Sequence, residues 1–343
     1  MILADELIPL STNVDFPLDT LRRFHGRTLA RADILDCGAT ALFVRSTTHV
    51  NKDLLAGTNV KFVGSATAGI DHIDVDYLAR NGIGFTHAPA SNAWAVAEYT
   101  LAWISKLAPD PGSLVCIVGH GNVGVRVEAA LKELGYRIRI YDPPLYGKSA
   151  TTLTDIVEAA DVLTLHVPFT HDTAYPTAGM LSDRLLRSMK PGSLLINTAR
   201  GGIVDDDALA TLCRNQRIHA VLDVFQAEPD VPMSVVESVG YCTPHIAGYS
   251  IQAKLGAASA LVKAYSEWNQ HGTVTIPPGG RIVQPIGAGC VGTNVSRLRN
   301  VQAEAEYFLG RYSKKPDRKT FDELRQQYIL CNEVLSTCFV VKT

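Results

Sequence analysis

The chain has 343 residues, 46% of them apolar and 19% charged, and a formal net charge of -2. This length corresponds to about two domains, and the near-neutral charge excludes a broad electrostatic pull on nucleic acid or an anionic membrane surface. No apolar run reaches membrane-spanning length without a charge or a turn residue, so neither a membrane nor a nucleic acid is expected as a partner.

The opening residues, M-I-L-A-D-E-L, are acidic and carry no signal-peptide pattern; a cytoplasmic location is expected. Ile2–Asp5 and residues 41–46, 61–66 and 82–87 are short apolar runs bounded by turn residues, and read as buried parallel strands. Val75–Arg80 reads as a short helix between the last two. Residues 92–107 give a longer helix, with Trp94, Ala97, Leu101, Ile104 and Ala108 on helical spacing. The P-D-P-G at residues 109–112 ends it.

The most telling stretch follows: L-V-C-I-V-G-H-G-N-V-G at residues 114–124. A strand enters a Gly-x-Gly-x-x-Gly turn and a helical pattern leaves it. Gly119 makes the tight turn, Gly121 admits a pyrophosphate, and Gly124 lets helix and strand pack. Asp142, after the next strand, sits where an acid binds the adenine ribose hydroxyls.

Beyond it, strand and helix alternate. Strands fall at Leu114–Val118, Arg137–Tyr141 and residues 162–167, 194–198, 220–224 and 241–243. Helices fall at residues 123–134, Leu153–Ala159 and Asp206–Arg214. Such alternation predicts an α/β, Rossmann-type doubly wound parallel sheet, with ligands at the carboxyl ends of its strands. Residues 249–269 read as a second long helix, followed by P-P-G-G at 277–280. Residues 296–309 and 321–329 are amphipathic helix candidates joined by a charged link, and 338–341 is strand-like. The layout is a nucleotide domain (92–247) inserted in a smaller flavodoxin-like α/β substrate domain (1–91 and 248–275), with a ligand cleft between them. A small C-terminal α+β region (276–343) completes it. The seven cysteines are scattered without a C-x-x-C pair; free thiols are expected, with no disulfide and no metal site.

Three side chains follow strands of the nucleotide domain: Arg200, Glu228 and His245. Together they suit oxidation of a 2-hydroxy acid. A guanidinium grips carboxylate and carbonyl oxygens, an imidazole takes the hydroxyl proton, and a carboxylate beside it orients the ring. Arg45 and Ser46, after an earlier strand, are candidates for further substrate oxygens. The backbone around Ala68 and Gly69 is a candidate anion-binding turn.

The motifs G-H-G-N-V-G, N-T-A-R-G-G-I-V-D (197–205), L-D-V-F-x-x-E-P (222–229) and T-P-H-I-A-G (243–248) resemble those of the D-isomer-specific 2-hydroxyacid dehydrogenase family over about residues 1–275. The resemblance implies NAD as cofactor and Arg200, Glu228 and His245 as catalytic residues. It places Asp223 by the nicotinamide carboxamide, and Asn122, Val123, Val167, Thr198, Ala199 and Gly248 along the NAD site beside the glycines and Asp142. The start D-E-L-I-P, V-R-S-T-T (44–48), F-V-G-S-A-T-A-G-I-D-H (62–72), H-I-A-G-Y-S (245–250) and the tail F-D-E-L-R-Q-Q-Y (321–328) are similar to a branch acting on a phosphorylated 2-hydroxy acid. That likeness implies NAD-dependent oxidation of 4-phospho-D-erythronate in pyridoxal phosphate synthesis, substrate contacts at Ser46, Thr67 and Tyr249, and a homodimer formed through the C-terminal region. His120 between the first glycines, a short 108–113 loop, a compressed 8–29 segment and a short tail depart from the branch. Two other readings stay open: a dehydrogenase for another 2-hydroxy acid, such as glycerate or 3-phosphoglycerate, and a non-catalytic NAD-sensing protein.

Overall fold

The computed structural model describes residues 1–10, 20–108, 110–147, 151–272, 282–285 and 289–342. The sequence breaks at Pro109 and at 277–280 lie wholly or partly outside them. The chain divides into two compact units, Met1–Asn92 with Ile251–Gly279, and Ala93–Ser250 with Gly280–Thr343.

In the first unit, Ile2–Asp5 (β1), Leu21–Phe24 (β2), Ala41–Val44 (β3), Phe62–Ser65 (β4) and Gly84–His87 (β5) form one sheet in the order β2-β1-β3-β4-β5. All pairs are parallel. Alternate residues point to opposite faces. Ile2, Ala4, Phe43 and Phe62 pack with Ala257 and Leu261 of helix Ile251–His271. Leu3, Leu42, Val44 and Val63 pack on Ile34, Leu54 and Leu78. Both faces are covered, so these strands read as continuous apolar runs. β2, L-R-R-F, is the exception: an edge strand whose two arginines are exposed.

In the second unit, Leu114–Val118 (β6), Arg137–Tyr141 (β7), Val162–Leu165 (β8), Leu194–Asn197 (β9), His219–Leu222 (β10) and Tyr241–Cys242 (β11) form a sheet in the order β11-β10-β9-β8-β6-β7. It is parallel throughout. Strand order reverses between β6 and β8, and such a switch point is where an open α/β sheet binds ligand. Cys116, Val118, Leu163, Leu165 and Leu195 bury one face. Val115, Ile117, Val162 and Ile196 bury the other, against Trp103 and Val127 of the flanking helices Ala93–Leu107 and Gly124–Glu133.

The C-terminal residues are part of this second unit, where the sequence suggests a separate region. Helices Val301–Tyr312 and Arg318–Gln326 insert Phe308, Tyr312, Phe321 and Leu324 into its core. Ile282–Pro285 (β12) pairs antiparallel with Phe339–Lys342 (β13). The long helix expected from residue 249 begins at Ile251, because Ser250 is held in a bridge to Cys331. The expectation of seven free thiols is corrected: Cys290 and Cys338 form a disulfide with Cα atoms 5.6 Å apart. Their separation of 48 residues carries no local signal. Among the described residues, no helix is long and apolar enough to cross a membrane.

Candidate active site

The glycine turn follows β6. Gly119 has φ +92, and a Cβ on it would strike the His166 carbonyl and Val167. A Cβ on Gly124 would overlap the Gly119 carbonyl, so helix Gly124–Glu133 sits directly on the turn. A Cβ on Gly121, by contrast, would meet nothing within 4 Å. Two side-chain atoms of this edge, Asn122 Oδ1 and Thr198 Oγ1, are buried without a hydrogen-bond partner among the described residues. A buried polar atom without a partner is costly. An open glycine face with partnerless acceptors and hydroxyls fits a bound dinucleotide, with Val123 and Gly124 opening the helix behind it.

Asp142 follows β7. Its Oδ2 accepts from the His120 amide at 2.7 Å, and its Oδ1 accepts from Leu145 N at 3.1 Å, capping the short helix Pro143–Tyr146. The carboxylate is thereby fixed beside the turn, with lone pairs left for ribose hydroxyls. His120 does not crowd Gly121. Its Nε2 lies 2.9 Å from Glu128 Oε2 and its Nδ1 2.5 Å from the Tyr146 hydroxyl. The His120 hydrogen bond outweighs burial and, with Lys132, holds the Glu128 carboxyl down at about 2.

Arg200, Glu228 and His245 stand on three neighbouring loops of the same sheet edge. Asn197, fully buried at the end of β9, folds the first loop: its amide donates to the Arg200 carbonyl at 3.0 Å and its Oδ1 accepts from Ala199 N at 3.1 Å. Gly201 brings this loop onto the next, since a Cβ there would overlap the Phe225 carbonyl. Phe225 N in turn donates to Glu228 Oε1 at 2.8 Å. Glu228 Oε2 accepts from His245 Nδ1 at 2.8 Å. His245 has φ 57, a left-handed conformation uncommon outside glycine. Burial pushes the Glu228 carboxyl up, but the His245 charge and hydrogen bond, then Arg325 and the Phe225 amide, hold it below the usual carboxylate range. An ionised Glu228 fixes the proton on Nδ1 and leaves the Nε2 lone pair to act as base.

The loop after His245 is gripped from two sides. Asp223, fully buried, accepts from Thr243 Oγ1 at 2.7 Å, Ile246 N at 2.7 Å and Ala247 N at 2.8 Å. Both its oxygens are engaged by this loop, so Asp223 holds the His245 loop in place. Burial pushes the Asp223 carboxyl up to about 6, against the opposing His245 charge and these hydrogen bonds. From the C-terminal region, Arg299 donates to the Ala247 carbonyl at 3.0 Å and pairs with Glu304 at 2.8 Å. Its guanidinium carbon lies 5.0 Å from the Tyr99 ring centroid and 5.1 Å from that of Tyr328. Gly248 lies inside the turn closed by Tyr249 N donating to Ile246 O at 2.9 Å. The Tyr249 hydroxyl accepts from Arg325 Nε at 3.0 Å. Sequence reasoning missed Asn197, Arg299 and Arg325. Asn197 and Arg325 lie in motifs already in view, at 197–205 and 321–328, but nothing in the sequence ties Arg299 or Arg325 to a loop 52 and 76 residues earlier.

In the first unit, Arg45 donates to the fully buried Asp5 at 2.8 Å, so the guanidinium is anchored by an ion pair. Ser46 follows it, partly exposed. The Thr67 hydroxyl donates to the Gly69 carbonyl at 2.6 Å and lies 2.6 Å from Ser65 Oγ, while Ala68 O accepts from His87 Nδ1 at 3.1 Å. These bonds give the 67–69 turn a fixed shape.

The model of the D-isomer specific 2-hydroxyacid dehydrogenase, NAD binding domain, matches residues 100–247. The chain is 41% identical over 280 residues to the erythronate-4-phosphate dehydrogenase of Shigella boydii serotype 4, covering 79% of this chain and 74% of that one. The enzyme of the same name from Escherichia fergusonii matches equally. Among solved structures, D-lactate dehydrogenase from Aquifex aeolicus, complexed with NAD and lactic acid, superposes with a TM-score of 0.66 at 23% identity, over 81% of this chain and all of that one. The NAD+-bound 3-phosphoglycerate dehydrogenase of Entamoeba histolytica gives 0.64 at 22% identity, over 80% and 97%.

Proposed function

The chain belongs to the D-isomer-specific 2-hydroxyacid dehydrogenase family and is an NAD-dependent dehydrogenase, and we propose that its substrate is 4-phospho-D-erythronate, oxidised to (R)-3-hydroxy-2-oxo-4-phosphooxybutanoate in the synthesis of pyridoxine 5'-phosphate. The substrate comes from the name of its 41%-identical relatives. The chemistry is carried by one observation, the His245–Glu228 pair at 2.8 Å beside the glycine turn's sheet edge. His245 Nε2 takes the proton of the 2-hydroxyl as the bond to oxygen becomes a carbonyl. Glu228 orients the ring and balances the charge it acquires. Arg200 grips the substrate carboxylate. Bound NAD supplies the acceptor for the hydride leaving the second carbon. Asn122, Thr198 and Asp142 hold the dinucleotide, with Val123, Val167, Ala199 and Gly248 lining it. Arg45, Ser46, Thr67, Ala68, Gly69 and Tyr249 meet the substrate. The protein works in the cytoplasm as a homodimer.

Purified protein supplied with NAD and a panel of 2-hydroxy acids tests this reading through formation of reduced cofactor. Preference for 4-phosphoerythronate is the expected result. Preference for glycerate or 3-phosphoglycerate overturns the substrate, and NAD binding without turnover of any acid overturns catalysis.

A further inference from the structure

Helix Arg318–Gln326 is seated by its apolar face. Phe321 and Leu324 are buried, and the Phe321 ring meets Phe225 edge-on at 6.3 Å. Phe225 is the residue whose amide holds Glu228. One helical turn beyond Phe321, on the same face, Arg325 donates from Nε to the Tyr249 hydroxyl at 3.0 Å. Its guanidinium carbon lies 5.8 Å from the Tyr249 ring centroid, and the Tyr328 ring packs edge-on against Tyr249 at 6.2 Å. Cys331 and Glu333 then bind the next residue: Ser250 bridges to Cys331 and donates to Glu333 Oε1 at 2.7 Å. The Arg325 charge also acts on Glu228 and Asp223. A segment far from the nucleotide domain in sequence thus reaches the loop that carries His245.

We infer that Arg325 is a positioning residue of the active site, holding the Tyr249 phenol toward the anionic substrate and tying the catalytic loop to the C-terminal helix. The inference rests on the proposed contact of Tyr249 with substrate. A phenol oxygen that accepts from a guanidinium becomes a stronger donor through its own hydrogen. The partner it then suits is an anionic oxygen of a carboxylate or phosphate. A neutral amide at position 325 removes that polarisation and the charged anchor of the phenol oxygen.

The test compares Arg325→Gln, Arg325→Lys, Tyr249→Phe and the Gln/Phe double variant with the intact protein, using NAD and 4-phosphoerythronate. Arg325→Gln and Tyr249→Phe are each expected to raise KM about 10-fold or more with kcat altered less than about 3-fold. The double variant is expected to be no worse than the poorer single one. Arg325→Lys falls between the intact protein and Arg325→Gln, and the NAD dissociation constant is unchanged throughout. An unchanged KM in Arg325→Gln, losses that multiply in the double variant, or NAD binding weakened in parallel each overturn the inference. If the intact protein prefers a different 2-hydroxy acid, the substrate assignment fails, and the same comparison with the preferred acid decides the role of Arg325.

Discussion

At the scale of single residues, the account turns on a pair and an acid. His245 donates from Nδ1 to Glu228, which leaves its other nitrogen for the base role proposed above. His245→Ala is expected to lower kcat by about 10²- to 10⁴-fold and leave NAD affinity within about twofold. Measuring turnover and NAD binding on one preparation checks this; a variant with near-normal turnover removes His245 from proton transfer. Asp142 is held against the turn by the His120 amide, and a carboxylate there repels a 2′-phosphate. Asp142→Ala is expected to relax the preference for NAD over NADP by roughly 10-fold or more. An unaltered ratio of kcat/KM for the two cofactors contradicts that placement.

At the scale of elements, Glu98 of helix Ala93–Leu107 carries a readable consequence. It is buried and accepts from Val334 N and Leu335 N at 2.7 and 2.5 Å, so it fastens the C-terminal segment to the helix. Burial pushes its carboxyl from 4.5 to about 7, against the opposing amide hydrogen bonds. The folded chain then keeps a proton that the unfolded chain releases, so this group's contribution to stability is lost as pH rises from about 4.5 to 7. Glu98→Gln is expected to flatten the fall in Tm between those values, removing at most about 3 kcal/mol of pH dependence. Equal slopes in both proteins refute it. The elements differed in how plainly the sequence announced them. Buried runs such as A-L-F-V and L-V-C-I-V, and the glycine turn, are legible because both sheet faces demand apolar side chains and the turn has no room for a side chain at 119 or 124. β2 was not legible, because an edge strand tolerates two exposed arginines. Nor was the tie between α-helical tail and catalytic loop, since Arg299 and Arg325 act across long sequence separations. The shared sheet edge of Arg200, Glu228 and His245 was legible because each follows a strand; the engagement of Asp223 by the His245 loop shows only in three dimensions.

At the scale of the molecule, the chain couples a dinucleotide-binding sheet with its C-terminal region in one unit. The C-terminal helices contribute core residues, and Arg325 of the second helix and Arg299, just before the first, bond to the loop that carries His245. The proposed homodimer predicts a solution mass of two chains by light scattering, and a monomer at assay concentration contradicts it. The central claim is that Arg200, Glu228 and His245 act together on a 2-hydroxy acid beside the nicotinamide. A crystal structure with NAD and 4-phosphoerythronate tests it most directly. The account predicts the 2-hydroxyl about 2.6–3.2 Å from His245 Nε2 and the carboxylate on Arg200. A dinucleotide bound with either side chain turned away from the substrate would contradict it.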